Sequence, residues 1–205
     1  LSSSPDLLLS PREEARRNEM LSAAAEVFFK KGFSRTSLDD VIAVTGGSKR
    51  TLYRYFPSKE DLFFAVIKMV SDRTIVGLTV MPVKGLRETL TTFGRTYLRT
   101  IVSPDGLALF RAVVSESPHF PGLGQRFVVD ATKRVSDILA NFLAQQTEAR
   151  LSEDPQVAAD QFLALLRGSV HLEALLTGIT PTAEVVESDV RRSVEALVAG
   201  AFTKA

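Results

Sequence analysis

Two short helical stretches separated by Thr45-Gly46-Gly47 constrain this chain more than any other feature. The first starts at Ser37, where Ser37 and Asp40 form an Asp-ended capping box, and runs to about Val44. The second opens at Ser48 and stops near Phe56, because Pro57 cannot continue it. Glycines suit the turn, since the chain must reverse within about three residues and glycine adopts left-handed backbone at little cost. Two helices held in this way form a helix-turn-helix. The major groove of B-DNA is about 12 Å wide, so it admits one helix while the other crosses the backbone. The spacing therefore points to double-stranded DNA as a partner.

The residues of the second stretch suit that role. Ser48, Lys49, Arg50 and Thr51 stand at its start, the end that approaches base edges, where free N–H groups also suit a phosphate. Arg50 is expected to read guanine, because its fork matches O6 and N7. Thr51 suits a thymine methyl, and Tyr53, Tyr55 and Lys59 suit phosphates, with Arg54 adding positive charge. Thr36 and Ser37, at the head of the first stretch, are expected to hold the opposite strand's backbone. Leu52 and Phe56, four apart, should face a core. Net charge is only +1. From Ser34 to Lys59, however, five basic residues face two acids, whereas 15 of each cancel from Leu62 onward. The excess is confined to one small reading module on a neutral body.

The rest also reads as helix. Period-two β-branched runs and Asn-Gly or Asp-Gly hairpin turns are missing, so the fold class is all-α, with about nine helices. Helix one spans about 12–31, with Met20, Ala24, Val27 and Phe28 on one stripe and Gly32 as its stop. Ser58 and Asp61 cap a helix from Lys59 to about Val80, and Met81-Pro82 breaks it. The next helix, about 84–102, carries Leu86, Leu90, Phe93, Tyr97 and Ile101 on one face. Ser103-Pro104 starts a shorter helix, a loop with Pro118 and Pro121 follows, and another helix runs to about Gln146. The polar stretch Glu148 to Asp154 precedes two final helices, about 156–176 and 182–202. The expected organisation is a disordered tail (1–11), a helix-turn-helix domain (12–57) and a helical body (58–205).

Several function classes drop out. No apolar run reaches the roughly 18 residues of a membrane span. Leu7-Leu8-Leu9 has no basic stretch before it, so the start does not read as a secretory signal. There is no cysteine and only two isolated histidines, which leaves little for metal or nucleophile chemistry. Phosphate-loop, dinucleotide, Gly-x-Ser-x-Gly and His-Glu-x-x-His patterns are absent. A non-enzyme without cofactor or metal, in the cytoplasm, is expected.

One resemblance is specific. Ala23-Ala24, Phe28, Gly32-Phe33, Thr36-Ser37-Leu38-Asp39-Asp40, Ser48-Lys49 and the run Thr51-Leu52-Tyr53-Arg54-Tyr55-Phe56-Pro57-Ser58-Lys59-Glu60-Asp61-Leu62-Phe63 resemble the DNA-binding region of TetR-type transcription factors. The likeness covers Arg17 to about Phe63. Four positions depart from it: Ile42 and Thr45 for alanines, Gly47 for a valine, and Arg50 for a common glycine. Losing the valine is expected to loosen the turn by about 1 kcal/mol or more, with Arg50 compensating through DNA. The body is similar to the AefR-like subgroup through Phe110-Arg111-x-Val113-Val114-x-Glu116-x-Pro118-x-Phe120-Pro121, Asp154-Pro155-x-x-Ala158-Ala159-x-x-Phe162 and Gly168. The resemblance implies a homodimeric regulator, most often a repressor, that binds a palindromic operator and is released by a small hydrophobic effector. A ligand-independent DNA-binding protein or an activator is the alternative.

The last two helices are apolar on more than one side, so both sides must be buried. One covers the body's core; the other is expected to meet a second copy with two-fold symmetry, unless the core is simply thick. Phe162, Leu166, Val170, Val190, Val194, Leu197 and Val198 are the candidate interface residues. Phe93, Tyr97, Phe110, Val114, Phe127 and Phe162 fall on inward stripes and are the candidate pocket lining, with Tyr97 as its polar handle. His171 reads as a satisfied core or interface histidine.

Overall fold

A computed structural model describes residues 10–79, 85–120, 122–146 and 150–203. Residues 1–9 of the expected tail, the Met81-Pro82 break, Pro121 and the 148–149 part of the polar stretch lie outside them. Among the described residues nine helices follow one another. They are α1 (Pro11–Lys31), α2 (Leu38–Thr45), α3 (Lys49–Tyr55), α4 (Lys59–Thr79), α5 (Leu86–Ile101), α6 (Pro104–Glu116), α7 (123–144), α8 (Pro155–Thr177) and α9 (Ala183–Ala201). Helix α7 runs through a π-helical stretch, Val128–Lys133, set between Leu123–Phe127 and Arg134–Ala144. A two-residue antiparallel pairing, Arg150–Leu151 with Phe202–Thr203, ties the end of α9 to the segment before α8.

The helix starts follow side-chain caps. Ser37 accepts from the Asp40 N–H, and the Asp40 carboxylate accepts from the Ser37 N–H, the capping box expected from sequence. The side chains of Ser48, Ser58, Ser103 and Asp154 accept from first-turn N–H groups of α3, α4, α6 and α8. Ser10 is part of a further capping box with Glu13, and Pro11 is the first helical residue of α1. The end of the expected tail is therefore ordered helix start.

Packing gathers the chain into two compact units that meet at Met69 and Val70, within α4. The first is built on the α1 stripe: Met20, Ala24, Val27 and Phe28 are buried. Phe28, Phe33 and Phe63 form an aromatic cluster with centroids 4.6 to 5.5 Å apart. Leu52 and Phe56 are buried too. Phe63 ties the first half of α4 into this unit, past the Pro57 break.

In the second unit the α5 stripe Leu86, Leu90, Phe93, Tyr97 and Ile101 is buried in one core with residues of α7, α8 and α9. Helix α5 comes close to α8 and α9 at Gly94, where an added Cβ would lie 3.1 Å from Leu166 and Val190. The Arg95 guanidinium pairs bidentately with Glu187 of α9, at 2.6 and 2.8 Å. That hydrogen bond, with the charges of Arg95 and Arg99, holds the Glu187 carboxyl below the usual carboxylate range. From α6, Arg111 donates to the Leu175 and Ala174 carbonyls, satisfying the C-terminus of α8 just before left-handed Gly178. Among the described residues no helix is long and apolar enough to cross a membrane.

Candidate functional site

Helix α3 has one buried and one exposed side. Leu52 and Phe56 anchor it, which turns its other residues outward. Lys49 and Arg50 are exposed, and Tyr53 is 48% exposed. Among the described residues Arg50 has no acidic partner. The Lys49 ammonium lies 2.8 Å from the Asp39 carboxylate, which raises its pKa above the ordinary lysine value. Both groups are well exposed, so this pair is weakly held and open to exchange for a phosphate. The Ser48 hydroxyl accepts from the Thr51 N–H and lies 3.0 Å from the Thr51 hydroxyl. Arg54 pairs with Glu13 of α1 and lies over the Tyr55 ring, 5.7 Å from its centroid. The Lys59 ammonium sits 4.2 Å over the Phe33 ring.

At the head of α2, Ser37 is exposed with its hydroxyl engaged in the cap. Thr36 does not fit the role expected of it. It is 2% exposed, its hydroxyl donates to the Gly32 carbonyl at 2.8 Å, and its N–H donates to Phe33. It closes the α1–α2 turn and presents nothing to a phosphate.

The turn itself holds a residue that sequence reasoning missed. Arg16 of α1 reaches over it and donates to the Thr45 and Gly46 carbonyls, at 3.2 and 2.9 Å. Its partners are 29 and 30 residues away, so no local pattern marks it. Gly46 and Gly47 have φ of 66° and 103°. A Cβ at Gly47 would come 3.2 Å from the Arg16 guanidinium. Instead of a loosened turn awaiting Arg50, the structure has a turn tied by Arg16, with glycine leaving room for it. Gly47→Val is therefore expected to destabilise the first unit by about 1–3 kcal/mol, through a β-branched residue at positive φ and displacement of Arg16. Urea denaturation of the full chain measures this, and an unchanged midpoint would count against the Arg16 tie.

Near the acidic start of α2, Asp40 accepts from Lys31 at 2.5 Å and from Ser37. These hydrogen bonds, the Lys31 one foremost, lower its pKa to about 2. Its contribution to stability is present above the unfolded carboxylate value and is lost as pH falls through about 2.

The second unit contains a cavity of about 140 Å³. Tyr97, Phe110 and Phe127 line it, together with Ser71 of α4 and the π-helical stretch of α7 at Ala131 and Thr132. Other residues expected in the lining lie elsewhere. Phe93 and Phe162 are buried in the helical core and are not on the cavity wall. Val114 points outward and is 65% exposed, because the inward stripe of α6 runs through Leu109, Ala112 and Val113. His171 is buried against Phe110, with ring centroids 4.6 Å apart, and its Nε2 has no hydrogen-bond partner among the described residues, so this nitrogen is not satisfied there. Burial, and then Arg167, push its pKa below the ordinary histidine value.

The expected pairing residues need the largest correction. Phe162, Leu166, Val170, Val190, Val194 and Leu197 are buried inside the single chain, and Val198 packs partly buried against the same core. The outward apolar residues of α8 and its C-terminal loop are Leu165, Leu172, Leu176 and Ile179, 43% to 76% exposed. Val185, on α9, is also exposed. The two-sided pattern was legible; which side faces inward was not.

A family model for the AefR-like transcriptional repressor C-terminal domain matches residues 88–200, and one for bacterial regulatory proteins of the tetR family matches 20–66. The chain belongs to the TetR family. That family is one of bacterial regulatory proteins. The HTH-type transcriptional regulator RutR of Escherichia coli K12 is 38% identical over 74 residues, 36% of this chain and 32% of that protein. The chain thus aligns over about a third of that relative's length. The solved structure of the Flavonoid-responsive Regulator FrrA is 32% identical, with a TM-score of 0.76 over 94% of this chain and 100% of that one. A putative TetR-family transcriptional regulator from Mesorhizobium loti shares the fold at a TM-score of 0.84 and 24% identity, covering 95% of this chain and 100% of that one.

Proposed function

We propose that this TetR-family regulator is a repressor that binds a palindromic operator as a homodimer and releases it when a small hydrophobic effector fills the cavity of the second unit. The observation that carries the DNA reading is the outward face of α3. Arg50 stands exposed there with no acidic partner among the described residues, next to Lys49 in an exchangeable pair, while Leu52 and Phe56 brace the helix from behind. Ser37, Ser48, Lys49, Arg50, Thr51, Tyr53, Arg54, Tyr55 and Lys59 remain the proposed DNA-facing set; Thr36 leaves it. The AefR-like repressor match supports repression over activation.

Effector response is supported by the cavity and by the flavonoid response in the name of FrrA. Two recognition helices must lie about one helical turn, roughly 34–36 Å, or a multiple apart to enter successive major grooves. Helix α4 carries Ser71 to the cavity wall. A ligand that favours another position of α4 changes that spacing and lowers operator affinity by its differential binding energy.

The test is selection of duplexes from a random pool by the full chain. Enrichment of a two-fold symmetric site is expected. Arg50→Ala should then weaken binding to it by about tenfold to a hundredfold and relax one base position in each half-site. Sequence-blind binding, or an Arg50→Ala chain with unaltered preference, would refute the reading. A thermal-shift screen of small hydrophobic compounds, followed by operator release for each hit, tests the effector.

A further inference from the structure

The chemistry of the cavity wall narrows what can fill it. At about 140 Å³ the cavity is close in size to an engineered protein cavity of roughly 150 Å³ that takes up benzene. One six-membered ring with small substituents fills this volume. Phe110 and Phe127 stand edge to face on the wall, with centroids 5.3 Å apart and planes at 81°. Ile101, Leu109 and Val135 complete an apolar surround suited to an aromatic guest.

Five hydroxyl-bearing residues interrupt that wall; Thr100, Ser103 and Thr132 are half-buried, and Ser71 and Tyr97 are buried. Ser71 is 5% exposed, and its Oγ is buried with no hydrogen-bond partner among the described residues. Such a group is an exception that a bound molecule would satisfy. Tyr97 is also 5% exposed, and burial raises its pKa, so its phenol remains a protonated donor at neutral pH. The charged residues of the lining, Arg73 and Asp105, are exposed, so the wall itself offers an ionised guest no buried counter-charge, and the cation that acts on Tyr97, Arg167, lies outside the lining.

We propose that the cavity selects an uncharged, single-ring aromatic molecule bearing a hydroxyl or carbonyl group, with Tyr97 and Ser71 as its hydrogen-bonding partners. This rests on the cavity being the effector site. The oxygen of the guest accepts from the Tyr97 phenol, and Ser71 rotates to pair with the same group.

Calorimetric titration of the full chain with phenol, toluene, benzoate and 1-naphthol tests the proposal. Phenol is expected to bind about tenfold more tightly than toluene, the effect of one buried hydrogen bond. Benzoate and 1-naphthol are expected to bind more weakly than toluene. Tyr97→Phe should bring phenol to the toluene level and leave toluene unchanged, and Ser71→Ala should cost phenol a smaller factor. Ala131→Phe, which fills the cavity from a half-buried position, should abolish phenol binding while circular dichroism reports an intact fold. Equal affinity for phenol and toluene, preference for benzoate, no phenol binding, or a Tyr97→Phe chain that binds phenol normally would each overturn the proposal. Anisotropy of the selected operator separates the two readings. Phenol that binds in the cavity without releasing DNA would refute the effector mechanism and leave the cavity chemistry standing. Release by another compound from a chain that takes up no phenol would do the reverse.

Discussion

Replacing Leu172 and Leu176 together with glutamate is expected to yield a folded monomer whose operator affinity is at least about 100-fold below that of the natural chain. The two leucines are four apart on α8, so they share one stripe, and they are 54% and 76% exposed. Leu165 is exposed too, but Gly168, with non-helical φ of 9° and ψ of −144°, puts a kink between it and that stripe. Val170 and Ala174 beyond the kink, like Phe162 and Leu166 before it, are buried within the chain. Charges on the outer stripe therefore leave the intramolecular core untouched. In a two-fold contact the same patch meets itself, so each glutamate is brought near its symmetry mates and stripped of water. A monomer retains one recognition helix and loses the effective concentration that tethers the second, a factor of about 10² to 10⁴. Sedimentation gives the oligomeric state, circular dichroism the fold, and anisotropy the operator affinity. A double variant that still sediments as a dimer would place the pairing surface elsewhere.

Phe162→Ala is expected to cost the second unit about 3–5 kcal/mol, the usual range for emptying a phenylalanine site in a packed core. Phe162 is fully buried, and its ring tip lies 3.4 Å from where a Cβ would stand on Gly94. The missing glycine side chain lets α5 approach there, and the phenylalanine occupies the space between the helices. The hole cannot close easily, because Leu166 and Val190 already crowd the same glycine at 3.1 Å. Phe162 is absent from the cavity wall, so its loss should appear as a lowered unfolding midpoint and leave the affinity of the folded chain for cavity ligands unaltered. A stability loss below about 1 kcal/mol would mean that α5 and α8 collapse onto the vacated space.

Arg16 and Thr36 illustrate how local signals and spatial roles part company. Thr36 sits where DNA-contacting residues are expected, yet its hydroxyl is already used on Gly32. Arg16 carries no marker in its own stretch, yet it holds the carbonyls of the recognition turn. The Glu13–Arg54 pair is equally remote in sequence. Such contacts arise from where α1 is laid down, and helical periodicity contains no information about a neighbour 29 or 41 residues away.

The order of helices, their serine and aspartate caps, the glycine turn and the exposed basic start of α3 were all written in the chain, because each depends on residues within one or two turns of each other. Which apolar side of α8 and α9 would be enclosed, that Val114 would face outward, and that Tyr97, Phe110 and Phe127 would share a cavity while Phe93 and Phe162 would not, were decided only when the helices packed. A helix with apolar residues on two faces is satisfied by burying either one first. The choice belongs to the surfaces it meets, and those surfaces are assembled from distant parts of the chain.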